Sequence, residues 1–324
     1  PSYRACYYAP ITATSSCISQ TQINATATVP LWYFADATDA SSSFSTQDWK
    51  ASVVVYDLSG TDEALPASIS AFPSFVYNDN VYVLGGSDIS YNPTSTVYYA
   101  TINSSGTIIG WATTTPLPSA ISYHPAFAHN NHIYVVGGAS GGSSTSTVRY
   151  ATINSSGTIG SWATTTPLPY ALNSHPILAH NNRVYVVGGY TGSISTTTVR
   201  YATINSSGTI GSWTNATPLL FNPQDHTSFI WGNYIYLVGG LDPDTYQATS
   251  TVSFAPINGD GTIGAWTNTT PLLFGSYRIS SFVSGNHVYV LGGSTSTVLS
   301  APINNDGTLG PWGQGNATID GGSG

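Results

Sequence analysis

Residues 124–169 read HPAFAHNNHIYVVGGASGGSSTSTVRYATINSSGTIGSWATTTPLP, and a second copy opens with HPILAHNNRVYVVGG at His175. The first glycine of each such pair falls at Gly85, Gly137, Gly188, Gly239 and Gly292, in steps of 52, 51, 51 and 53 residues. Tryptophans follow at Trp111, Trp162, Trp213, Trp266 and Trp312, in steps of 51, 51, 53 and 46 residues. A fixed period of this length is the signature of a repeat architecture and takes precedence over any local reading.

Within the quoted unit four extended runs stand out: Pro125–His129, Ile133–Val136, Val148–Asn154 and about Ile159 to Thr165. Each is short and rich in Val, Ile, Tyr and Thr, which suits antiparallel strands. Asn130-Asn131 suits a tight hairpin, because asparagine tolerates positive φ. Gly137-Gly138 ends the second strand where a Cβ would interfere. Asn154-Ser-Ser-Gly157 makes the third turn, and Trp162 is placed in the fourth strand as an apolar plate. Pro167-Leu-Pro169 cannot continue a ladder and carries the chain to the next unit. One such sheet cannot bury its faces alone, whereas sheets stacked around an axis bury one another and leave few edges.

The double glycine, the third-strand aromatic (Tyr99, Tyr150, Tyr201, Phe254), the N-x-x-G-x-I/L-G-x-W segment and its tryptophan together resemble kelch repeats of a loose microbial kind. The resemblance covers roughly Phe72 to Trp312, and the last unit departs from it with Ser300 at the aromatic position. It implies an all-β, kelch-like β-propeller. Five units account for about 255 residues, which leaves room for a sixth, irregular blade ahead of them. The expected division is an N-terminal arm over 1–21, an incomplete first blade over 22–66, five regular blades over 67–320 and a tail over 321–324. Such a fold hosts enzymes, sugar binders and adhesion modules alike, so function has to come from sites.

Charged residues make up only 6% of the chain, against about 25% in an average soluble domain. Lys50 and Glu63 are the sole lysine and glutamate, and the net charge of −8 comes from scattered aspartates. With no basic patch, nucleic acid and anionic membrane are poor partners. No apolar run reaches the ~18 residues that would span a bilayer. The chain begins at Pro1 and contains no methionine, and its polar residues are mostly Ser, Thr, Asn and Gly. A processed, extracellular or cell-surface protein is expected. Cys6 and Cys17, both ahead of the repeats, are expected to form a disulfide that staples the arm.

The opening unit is the main irregularity. Its strands are read as Ala25–Val29, Leu31–Ala35 and Ser52–Tyr56, with 36–48 as an insertion. Asp57-Leu-Ser-Gly-Thr61 aligns with the later turns, but the fourth strand with its Gly-x-Trp is missing. A three-stranded blade leaves a row of open N–H and C=O groups, an invitation to strand addition. The first twenty residues, with Tyr3, Tyr7, Tyr8 and Ile11, are the segment expected to fill it, from the same molecule or from a neighbour.

No catalytic set is found and no cofactor is expected. His124, His175 and His226 each precede an anchor glycine by 13 residues, so three adjacent blades carry an imidazole near one mouth of the channel. Such a trio can bind a transition metal. Repeat copying explains it as well, since Phe72 and Ile279 hold the flanking positions and no carboxylate recurs beside them; no metal site is assigned. A galactose-oxidase-like copper site needs a Tyr–Cys cross-link, and sialidase-like chemistry needs three clustered arginines with a Glu–Tyr pair; neither set is evident. Asn-x-Ser/Thr sequons occur at Asn24, Asn103, Asn154, Asn205, Asn215, Asn268 and Asn316 and are candidates for glycosylation. The leading expectation is a non-enzymatic extracellular structural protein that assembles with copies of itself into a surface fibre or layer. A glycan-binding or adhesion propeller, using Tyr91, Tyr123, Tyr170, Tyr190 and Tyr246, is the alternative, and a secreted oxidoreductase or glycosidase comes third.

Overall fold

The structure, a computed structural model, describes residues 31–34, 50–53, 64–293 and 297–318. Five four-stranded antiparallel sheets, here blades A to E, account for most of it. Blade A comprises Ser74–Tyr77, Asn80–Leu84, Val97–Ile102 and Ile108–Thr113, joined in sequence order. Blade B repeats the meander with Ala126–His129, His132–Val136, Val148–Thr152 and Ala163–Thr165. Blades C, D and E begin with Ile177–His180, Thr227–Trp231 and Ile279–Ser284. Those first strands lie side by side from blade to blade, so they are the innermost strands around the axis.

The local reasons are legible at the hairpins. Asn78-Asp79, Asn130-Asn131 and Asn181-Asn182 all adopt positive φ, between 46° and 58°, the turn whose twist matches the flanking strands. Blades D and E put Gly232 and Gly285 at the corresponding first position. In-register pairing then lines up an aromatic ladder across three strands, Phe127–Tyr134–Tyr150 in blade B. The Phe127 and Tyr134 rings stack with centroids 4.6 Å apart.

The seams between blades form the core. Each of four apolar clusters draws on two neighbouring sheets; one joins Tyr82, Leu84 and Val97 of blade A to Ile133, Val135 and Ile159 of blade B. Across each seam the second-strand tyrosine, fully buried, donates its hydroxyl to a turn glycine carbonyl of the next blade. The bonds are Tyr82 to Gly157 (2.8 Å), Tyr134 to Gly208 (2.9 Å), Tyr185 to Gly261 (3.0 Å) and Tyr236 to Gly307 (2.8 Å). Burial pushes the Tyr82 and Tyr185 hydroxyls up to about 12, so they stay protonated donors. The next blade reaches back: Trp162 Nε1 donates to the Thr115 carbonyl at 3.1 Å, and Trp213, Trp266 and Trp312 do the same to Thr166, Thr217 and Thr270.

Tyr134→Phe is therefore expected to cost about 1–3 kcal/mol, because it leaves the buried Gly208 carbonyl without its donor. Urea denaturation measures this, and a loss under about 0.5 kcal/mol would show that the seam is held by packing alone.

Two boundaries differ from the sequence reading. The fourth strand of blade B begins after Trp162 and covers only Ala163–Thr165, while Ile159 makes a lone bridge with Ile153. The tryptophan is spent on the preceding blade, which pulls this stretch out of its own ladder. In the opening unit, Leu31–Phe34 pairs with Lys50–Val53, Leu31 opposite Val53 and Phe34 opposite Lys50. Lys50–Val53 lies beside the innermost strands of both blade A and blade E. It thus takes the inner position between them, not the third position over 52–56 that the repeat alignment suggested. The expected strand at 25–29 and the turn at 57–61 fall outside the described residues.

Candidate functional site

Where the chain enters each innermost strand, one residue takes a left-handed backbone: Ala71 (φ 58°), Tyr123 (55°), Ser174 (50°), Asp225 (51°) and Arg278 (55°). The twist lets three neighbouring pairs of these segments bond around the axis. Tyr123 N–H donates to Ala71 O at 3.0 Å, Ser174 N–H to Tyr123 O at 3.0 Å, and Arg278 N–H to Asp225 O at 2.7 Å. The segments also bridge to the loops that follow the double glycines, as at Asn173↔Tyr190 and Gln224↔Leu241. Within this collar lies a cavity of about 800 Å³, bordered by Tyr123, Tyr190, Gln224, Asp225, Tyr246 and Arg278 among others.

The next residue inward is the spacer: Phe72, His124, His175, His226 and Ile279. The three histidines also border the cavity, yet each is buried, at 4%, 4% and 6% exposure. Each imidazole is wedged between two blades. A Cβ placed on Gly137 of blade B would stand 2.9 Å from His175 Cε1, and one on Gly189 of blade C 2.6 Å from His175 Cβ. Phe72 packs in the same way against Gly86, and Ile279 against Gly239 and Gly293. His226 Nε2 lies 3.2 Å from the Val187 carbonyl of the preceding blade. Burial holds His175 down at about 3 and His226 at about 4, so both are neutral at pH 7. Among the described residues no three His, Cys, Asp or Glu side chains are grouped to hold a metal ion.

The remaining candidates separate. Arg149 donates to Ser119 Oγ at 3.0 Å, Arg200 covers the Tyr170 ring at 4.1 Å, and Arg183 lies 5.6 Å from the centre of the Tyr201 ring. The arginines are thus spread over different seams. Of the five rim tyrosines singled out from sequence, Tyr123, Tyr190 and Tyr246 border the cavity, and Tyr91 and Tyr170 do not. The sequons at Asn154 and Asn205 use Nδ2 to bond Thr158 and Thr209 at 2.9 Å. Asn258 and Asn304, which are not sequons, make the same bond to Thr262 and Thr308. The recurrent asparagine is therefore a turn device first. Asn103, Asn215 and Asn268 are also at least partly exposed. Asn316 sits in Gly313–Thr318. Cys6, Cys17, Asn24, Tyr3, Tyr7, Tyr8, Ile11 and Glu63 lie outside the described residues. Sequence reasoning missed Asp225 and Arg278, whose Oδ2 and Nε meet at 3.1 Å at the cavity edge.

Five complete blades around a bordered axial cavity define a β-propeller. Among solved structures the chain is similar to one titled "Structure of YjhT", with a TM-score of 0.62 and 14% identity over 79% of this chain and 86% of that one. At that identity the likeness shows the fold alone. No protein-family model matches the chain, and no curated protein matches its sequence.

Proposed function

We propose that this chain is a non-enzymatic, extracellular structural protein, a kelch-type propeller of six blades that assembles with copies of itself into a fibre or layer. The observation that carries the reading is the sheet between blades E and A. Among the described residues two strands, Leu31–Phe34 and Lys50–Val53, stand there, beside five sheets of four. The neighbouring surface of blade E suits a fuller sheet: Tyr289, counterpart of four fully buried seam tyrosines, is only partly buried there.

In this reading residues 1–21, stapled by a Cys6–Cys17 disulfide, supply the missing strand to the incomplete blade of a neighbour. Backbone pairing gives affinity along the open edge, and Tyr3, Tyr7, Tyr8 and Ile11 give it side-chain anchors. The scarcity of charge supports this, since Lys at an edge is a usual guard against such pairing. Glycans on exposed sequons would supply hydration that the few charged residues cannot.

The test is deletion of residues 1–21, with light scattering and electron microscopy of both chains at equal concentration. The intact chain is expected to form filaments or layers and the truncated one to remain monomeric. Equal assembly by both would refute the arm as connector.

A further inference from the structure

We propose that the mouth of the axial cavity is a binding site for a neutral, hydroxyl-rich oligosaccharide, held by Tyr123, Tyr190 and Tyr246 together with Gln224, Asp225 and Arg278. The proposal is separate from the assembly reading, because the N-terminal arm plays no part in it.

The five left-handed positions of the collar have nearly the same φ, between 50° and 58°. The architecture fixes their backbone and leaves their side chains free to differ. They do differ: Ala71, Tyr123, Ser174, Asp225 and Arg278 share no property of size, charge or polarity. The residue after each, by contrast, is always a bulky seam filler. A ring of equal backbones with unequal side chains turns a nearly symmetric channel into a lopsided one, with an aromatic residue in one sector and an ion pair in another.

That ion pair is informative in a chain with only 6% charged residues. Asp225 and Arg278 contribute nothing that Ala71 or Ser174 does not already contribute to the collar's backbone bonding. Both are about a quarter exposed, at 27% and 28%, on the rim of the cavity. A carboxylate and a guanidinium side by side offer an acceptor and donors with no net charge, a combination suited to hydroxyl groups rather than to an anion or a cation.

Tyr246 supplies the apolar half. It is 74% exposed and holds a left-handed backbone, φ 55°, which is unfavourable for a bulky side chain. Its loop is braced to hold that geometry. Asp242 Oδ1 accepts from the N–H groups of Asp244 (2.9 Å) and Thr245 (3.3 Å), and Tyr246 N–H donates to Asp242 O at 2.8 Å. Tyr190, in blade C, is fixed by paired bonds to Asn173 at the entry of the same blade. Flat aromatic faces beside convergent donors and acceptors match a sugar ring, which has C–H faces and a hydroxyl edge. The volume of about 800 Å³ is within the range of ligand pockets and holds several sugar rings.

The test uses the full chain on an array of neutral and acidic oligosaccharides, followed by calorimetric titration of the strongest neutral binder. Tyr246→Ala and Asp225→Asn are each expected to weaken it about tenfold. Tyr91→Ala, at a 54% exposed tyrosine with a similar left-handed backbone (φ 60°) that does not border the cavity, is expected to leave it unchanged. Circular dichroism shows whether each variant keeps its fold, and since Tyr246 is exposed its variant is the decisive one. An array with no neutral binder overturns the proposal. So does binding that Tyr246→Ala leaves intact, or that Tyr91→Ala weakens as much.

Discussion

Lowering the pH from 6.5 to 4.5 is expected to remove several kcal/mol of stability, through His175 and His226. Both are buried in seams between blades, and their folded-state values of about 3 and about 4 lie well below the ~6.5 of an unfolded histidine. The sign follows from proton counts. Below pH 6.5 the unfolded chain takes up a proton at each histidine while the folded chain does not, so acid favours unfolding. Stability from this source is fully present above about pH 6.5 and is lost as pH falls toward the folded values. Each group costs about 1.4 kcal/mol per pH unit in that window, which over two units and two groups is about 5 kcal/mol. That is comparable with the whole stability of many domains.

Hydrogen bonds hold the Asp88, Asp242, Asp260 and Asp306 carboxyls below their ordinary value, so these groups also withdraw stability as pH falls into the unfolded carboxylate range, and the histidine variant is needed to separate the two contributions. Urea midpoints at half-unit steps from pH 7 to 4.5 give the slope. The double variant His175→Ile, His226→Ile should flatten it, because Ile279 already occupies the same seam position in blade E. A native chain equally stable at pH 6.5 and 4.5, or a variant with the native slope, would show that the seams open to water and let the imidazoles charge.

These histidines also show how much of the molecule was legible in its sequence. The period, the hairpin asparagines and the double glycines could be read because they act locally and recur. What crosses between blades could not. Trp162 was placed in its own sheet, whereas its indole bonds Thr115, one blade back. The recurrence of a threonine before proline at Thr115, Thr166 and Thr217 carried that signal, since each accepts from the tryptophan of the following blade. Nor does residue type announce the collar. Ala, Tyr, Ser, Asp and Arg share no preference for positive φ, and only their common place in the repeat relates them. The inner position of Lys50–Val53 escaped for another reason: the opening unit lacks the glycine and tryptophan markers by which the others were aligned.

Gly137→Ala is expected to be strongly damaging, and Gly141→Ala, four residues on, much less so. The two glycines have almost the same backbone, φ 59° and 57°. Alanine at either pays the left-handed penalty of about 1–2 kcal/mol. Their surroundings differ. A Cβ on Gly137 would meet the Leu172 carbonyl at 2.5 Å, His175 Cε1 at 2.9 Å and the Thr145 carbonyl at 3.2 Å, while one on Gly141 meets nothing within 4 Å. The Leu172 carbonyl cannot withdraw, because it already accepts from Gly138 N–H at 2.7 Å, so the methyl group has to part blades B and C. Overpacking of this kind adds about 1–3 kcal/mol, for a total of about 2–5 at Gly137. Paired urea denaturation of the two variants isolates the contact cost, since the conformational part cancels. Equal losses would mean that the double glycine serves only the turn. A difference of more than about 1 kcal/mol would mean that it sets how closely adjacent blades approach, and so the width of the seam that each buried histidine fills.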